Sequence, residues 1–267
     1  MRMIDPDAIV AERMRQQQVL FAWFSPSFPI GGFAFSHGLE WAHEVEAVAG
    51  LAGLTGWLTD LIEHGSARQD AILLAIAWRA AMARDDAALA EAAELAFALQ
   101  PSRERQMEAT VQGAAFLKVV EAAYGGAHPP LEGEGREQRE RGGVSSGQTP
   151  HPGAGAPILP LKGRVVSAPL TLPVAAAIAG AAHDIALPDL LLAFIAGFIA
   201  NLCSAAVRIG IVGQTDGQRA IAALQPAVTK LAMAADTLTL DDLGTATMRA
   251  DLFSMQHETQ YSRLFRS

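Results

Sequence analysis

The chain has 267 residues, of which 51% are hydrophobic and 18% charged, enough apolar material for a substantial core. Its net charge of −8, with no run of Lys or Arg, excludes a phosphate-tracking nucleic-acid binder. Cys203 is the only cysteine, which excludes an intramolecular disulfide and leads us to expect a cytoplasmic setting.

The opening residues, Met1-Arg2-Met3-Ile4-Asp5-Pro6-Asp7, place acids and a proline where a signal peptide needs an apolar core. Leu51, Leu54, Leu58, Leu61 and Ile62 recur at three- and four-residue spacing, which predicts one apolar helical face ending at Gly65. Ser66 is placed to cap the next helix, which runs through Ile72, Leu73, Ile76 and Ala80. Asp85 and Asp86 put negative charge at the start of a third helix that ends near Leu99. Pro101 and Ser102 reset the chain before a longer helix that stops at Gly125-Gly126.

Residues 126–168 differ in composition, being charged and Gly-rich and then Pro/Gly-rich. They bury too little apolar surface to offset the entropy of ordering, so a flexible insertion is expected there. Pro188 suits the first turn of a long apolar helix. That helix carries Asn201, Ser204 and Arg208, and an arginine in mid-membrane would cost about 2.5–3.5 kcal/mol. A buried central helix is therefore expected rather than a membrane span. Further helices are expected over 214–224, 226–235 and 241–260. No alternating strand pattern persists, so the expected fold is all-α: a single-domain helical bundle over residues 1–267.

Catalytic arrangements are scarce. Gly143-Val144-Ser145-Ser146-Gly147 matches G-x-S-x-G but lacks the strand–turn–helix context that exposes such a serine. His257-Glu258 begins like H-E-x-x-H, yet Tyr261 stands where the second histidine is needed. There is no G-x-x-x-x-G-K-[ST], hence no P-loop, and the carboxylates lack Glu-x-x-His repeats. His37 and His43, with Gly38 between them, make a poor metal pair. The chain is expected not to be an enzyme, with no catalytic residue, no metal ligand set and no cofactor of its own.

Interaction features remain. Pro26 and Pro29 stiffen a loop in which Gly31 and Gly32 widen the backbone angles and Phe28, Ile30, Phe33 and Phe35 are apolar. Glu40, just beyond, is expected to face a partner. Arg208 lies among apolar neighbours, where a guanidinium must be paired, snorkel outward or line a polar passage. Gln214 follows on a glycine-bounded turn. Glu104, Glu108 and Gln112, with Arg105 beside them, recur every four residues and are expected on a solvated face. The last eleven residues are His257, Glu258, Thr259, Gln260, Tyr261, Ser262, Arg263, Leu264, Phe265, Arg266 and Ser267. A chain end normally drifts towards small polar residues. This one sets Tyr261, Leu264 and Phe265 among two arginines, the residue types that anchor protein interfaces. A rival reading is a ligand carrier or enzyme with an internal polar cavity lined by Asn201, His183 and Arg208.

Three blocks decide between these readings by resemblance: residues 25–40, residues 197–218 and residues 257–267. Their sequences and order resemble the urease accessory protein F family, over roughly residues 19–123 and 169–267. The family has a much shorter connection where residues 126–168 stand. The resemblance implies an all-α homodimer that acts in nickel insertion, as a chaperone-like, non-catalytic adaptor between partners. Those partners are the D-type (or H-type) accessory protein, the G-type GTPase and apo-urease, and nickel and GTP are handled by them. It implies a D/H-type contact along 257–267. It also implies a GTPase-side contact near Gly31, Gly32, Glu40, Arg208 and Gln214, with neither membrane nor nucleic acid as a partner.

Overall fold

Leu54, Leu58, Leu61 and Ile62 share one face of helix α3 (Gly50–His64) and are buried, as their periodicity predicts, while Leu51 at the start of the same face is half-buried. The computed structural model describes residues 6–124 and 169–267, and the insertion expected over 126–168 lies outside the described residues. Preceding α3 are α1 (Pro6–Trp23), a 3₁₀ turn at Gly32–Ala34 and α2 (Leu39–Glu44). After it come α4 (Ser66–Ala83), α5 (Asp86–Ala98), α6 (Arg103–Tyr124) and α7 (Leu172–Ala182). The chain continues through α8 (Leu187–Ile209), α9 (Gln214–Ala235), a 3₁₀ turn at Leu240–Asp242 and α10 (Met248–His257). Among the described residues there is no strand, and the fold is all-α as expected.

Helices α4 and α8 form the centre. In α4, Ala71, Ile72, Leu73, Leu74 and Ala75 are all inaccessible, because α3, α5, α7, α8 and α9 surround it. Helix α8 is long and apolar enough to cross a membrane. Here Leu190, Leu191, Ile195, Ile199 and Leu202 are buried within the shared core, against α4, α7 and α9. Trp23 closes one end of the core, edge-on to Phe116 at 5.4 Å and to Tyr124 at 5.8 Å.

Local signals set some boundaries and miss others. Asp85 caps α5 by accepting the Ala88 N–H at 3.0 Å. Ser66 is not the cap of α4: Gly65 holds that position, and the Ser66 hydroxyl lies 2.7 Å from His37 Nε2. The break expected at Pro226 is absent, and α9 runs through it. An internal proline costs a helix about 3 kcal/mol. Leu224, Val228, Leu231 and Ala232 form one buried stripe across the join, and their burial offsets that cost. The single helix expected over 241–260 is instead a 3₁₀ turn and α10. Residues 243–247 between them are not helical, with Leu243 extended and Gly244 at φ 130°.

Gly113 marks the closest approach of α6 to the segment entering α7. A β-carbon there would lie 2.7 Å from the Thr171 carbonyl carbon, and only backbone is available to yield. Gly113→Ala is expected to destabilise the fold by about 1–3 kcal/mol in urea titration. Gly56 is an exposed α3 position with open space around its Cα, so Gly56→Ala should be neutral or stabilising by about 0.5–1 kcal/mol. Equal losses in both variants would refute the packing account.

Candidate functional site

Glu104 and Glu108 stand one turn apart on α6, with Arg105 between them. A helical spacing of four says that they share a face but not what covers it. All three are buried, not solvated as expected, because residues 257–267 fold back across that face. Basic and polar groups of the returning segment meet the acids of α6 and α2.

His257 is fully buried between two carboxylates. Its Nδ1 lies 2.6 Å from Glu104 Oε2 and its Nε2 lies 3.0 Å from Glu40 Oε2. Arg263 donates to the other Glu104 oxygen. Glu40 also accepts the backbone N–H of Leu264 at 2.7 Å and of Phe265 at 3.0 Å. Glu40, expected to face outward, is thus buried at 7% exposure, holding the segment from beneath. Gly38 makes this possible. At φ 77° it lies against the Ser254 backbone of α10, where a β-carbon would sit 3.0 Å from Ser254 N.

The final residues are tied just as closely. The Ser267 hydroxyl donates to Glu108 Oε2 at 2.6 Å, and the Ser36 N–H donates to Ser267 O at 2.6 Å. The Arg266 N–H donates to Ala34 O at 2.8 Å. Arg208 reaches from α8 to the Phe33 carbonyl, and its guanidinium lies 4.3 Å from the centroid of the Phe265 ring, a cation–π contact. The Asn201 amide donates to Gly32 O at 3.2 Å, fixing the loop beside Gly31, whose φ is 74°. The three sequence blocks therefore meet in one place. Gln214 is exposed at the start of α9, and no bond joins it to this cluster among the described residues.

Within the returning segment the side chains divide by exposure. His257, Phe265 and Ser267 are buried, whereas Glu258 and Gln260 are half-buried. Thr259, Ser262, Arg263 and Arg266 are exposed. Tyr261 is entirely exposed and Leu264 is 74% exposed, with Phe33 of the adjoining loop at 69%. The fixed backbone thus holds large apolar groups out in solvent.

Beneath the segment lies a second polar layer. Burial acts to raise the Glu108 pKa, but Arg105, with help from His37 and Ser267, holds it well below the usual carboxylate range. Burial and the Arg105 charge push His37 down to about 4, so it is neutral at physiological pH. Burial pushes Asp70 up to about 6. These residues border a cavity of about 380 Å³ between residues 23–33, α6 and α8. Asn201 lines it, as the rival reading expects, but Arg208 and His183 do not. Arg208 is engaged by Phe33 and Phe265, and His183 packs edge-on to Trp23 at 5.3 Å. Among the described residues, no group of three or more His, Cys, Asp or Glu could hold a metal ion.

Sequence reasoning passed over Ser36, His37, Glu104, Arg105 and Glu108 as site residues. The usable signal was charge complementarity between an acidic strip on α6 and a basic, His-containing terminal run.

Comparison with known proteins bears on the same residues. The UreF family model matches residues 48–225. A urease accessory protein UreF from Rhodopseudomonas palustris (strain BisA53) is 41% identical over 263 residues, covering 98% of each chain. One from Xanthobacter autotrophicus is 45% identical over 248 residues, covering 93% of this chain and 90% of its own. Another from Methylobacterium sp. (strain 4-46) is 42% identical over 249 residues, 93% of this chain and 88% of its own. With blocks, fold and near-full-length similarity in agreement, the chain belongs to the UreF family of urease accessory proteins.

Proposed function

We propose that the protein is a non-catalytic adaptor in urease maturation. It joins the D/H-type accessory protein and the nickel-delivering GTPase to apo-urease, and regulates GTP-dependent nickel insertion as a cytoplasmic homodimer. Nickel and GTP are handled by its partners. The D/H-type contact is assigned to residues 257–267, centred on Tyr261 and Leu264. The GTPase side is assigned to Gly31, Gly32, Arg208 and Gln214, with Glu40 acting from below by holding the segment that borders them.

One observation carries this reading. The acids of α2 and α6 are engaged in fixing a segment whose exposed side chains, Tyr261 and Leu264, make no use of the chain's own core. Large apolar groups on a rigid backbone are what a docking anchor requires, because little further entropy is lost on binding.

Deleting residues 257–267 would also strip Glu40, Glu104 and Glu108 of their partners, so it confounds docking with folding. The cleaner variant is Tyr261→Ser with Leu264→Ser, which leaves every backbone bond of the segment in place. Removing one anchor typically costs about 2 kcal/mol, or about thirtyfold in affinity. The double variant should therefore lose co-purification with the D/H-type protein while its Tm is unchanged. Retention of the complex at wild-type affinity would move the contact elsewhere on the chain.

A further inference from the structure

The cavity of about 380 Å³ is lined by two unlike sets of side chains, and its size is within the range of small-molecule sites. Trp23, Phe24, Phe28, Phe194 and Phe198 furnish aromatic walls, whereas Asp70, Arg105, Glu108 and Gln112 furnish a polar floor. Arg105 is already ion-paired with Glu108, so an incoming anion would find no free cation on that floor. Asp70 and Glu108 against Arg105 leave one negative charge in excess.

The excess resides on Asp70. This residue is only 7% exposed, and its Oδ1 has no hydrogen-bond partner among the described residues. A buried acceptor left unmatched weakens the fold and calls for an explanation, and a bound donor is one such explanation. His37 also borders the cavity, its Nδ1 facing Glu108 Oε1 at 3.7 Å. It is neutral and adds no positive charge to repel a cation. Aromatic faces attract cations and reject anions, which points to the same ligand sign as the floor does.

We propose that this cavity binds a small organic cation: an ammonium or amidinium head donating to the Asp70 carboxylate, with a short apolar body held by Phe24, Phe28 and Phe198. Gly31 and Gly32 of the proposed GTPase side border this cavity, but none of residues 257–267 does, and the inference is argued from the cavity's own lining.

The probe pair is benzamidine and its uncharged analogue benzamide, titrated calorimetrically into the full chain without partners. Benzamidine should bind, with benzamide weaker by about tenfold or more. Asp70→Asn should abolish that preference. It should also raise Tm, because it removes an unmatched buried charge, and a higher Tm shows that the variant is folded. A measurement on the unaltered protein guards against any effect of the substitution. Burial sets the Asp70 pKa near 6, with Arg105, Glu108 and Gln100 also acting on it. Benzamidine, cationic throughout, should bind more weakly at pH 5 than at pH 8. The proposal is overturned if the wild type binds neither compound or both equally, if Asp70→Asn keeps the preference, or if affinity is the same at both pH values. None of these results tests the D/H-type contact proposed for residues 257–267.

Discussion

Arg105→Met should lower the stability of the protein by about 3–5 kcal/mol, the usual cost of removing one partner from a buried ion pair. For a chain of this length that is a fall in Tm of about 10 °C. Glu108 is the reason. It is 6% exposed and its carboxylate lies between Arg105, His37 and the Ser267 hydroxyl, so without Arg105 its negative charge is stranded. The pH dependence of stability should change with it. In the wild type the folded-state pKa of Glu108 is depressed, so its contribution is present above the unfolded carboxylate value of about 4.3 and lost as pH falls below it. In Arg105→Met burial acts with less opposition, the folded pKa rises, and stability should improve towards acid. The second substitution Glu108→Leu should recover much of the loss, since apolar replacements of a buried pair are often close to neutral. Recovery should be incomplete, because the Ser267 hydroxyl then lacks its acceptor. Calorimetry across pH 4–8 checks all three points, and an Arg105→Met variant as stable as wild type would remove the ion pair from the account.

Glu40→Ala should act differently, by freeing the returning segment while the bundle stays folded. It deletes the acceptor of the Leu264 and Phe265 N–H groups and one of the two carboxylates flanking His257. Each buried group left unsatisfied costs about 1–3 kcal/mol. The loss is bounded by the free energy of local opening, because the segment can detach into water without disturbing α4 or α8. Hydrogen exchange at the Phe265, Arg266 and Ser36 amides should accelerate by about 30- to 1000-fold, corresponding to about 2–4 kcal/mol. Amides of α4 should be unaffected. Binding to the D/H-type protein should weaken in parallel, because the anchors are then no longer presented on a fixed backbone. Unchanged exchange at residues 264–266 would mean that Glu40 is not the clasp.

Much of the scaffold was legible from periodicity and capping. The stripe from Leu54 to Ile62, the Asp85 cap and Pro188 at the start of α8 each act within a few residues, where local rules hold. Pro226 does not break α9 because buried contacts outweigh the proline penalty, and the 241–260 run is not one helix because residues 243–247 leave helical space, with Leu243 extended and Gly244 at φ 130°. The candidate site was legible only as three separate blocks. Nothing in the spacing of Glu104, Glu108 and Gln112 distinguishes a solvated face from one covered by residues about 150 positions away. For the same reason Glu40 was placed outside rather than beneath the segment it holds.

The bonds that fasten residues 257–267 to Ser36 and Glu40 join positions 217 to 231 apart in sequence. On the ribosome, at about 5–20 residues per second, the second half of each bond emerges about 10–45 s after the first. The helices that complete the core, α8 and α9, end at Ile209 and Ala235 and so emerge ahead of residues 257–267, the later half of these bonds. The core elements are therefore synthesised before the segment to which docking is proposed, and that segment cannot be fastened in place until residues 257–267 have been made. If residues 257–267 carry the proposed contact, a nascent chain that lacks them cannot make it, and the order of synthesis itself would keep unfinished chains out of the assembly.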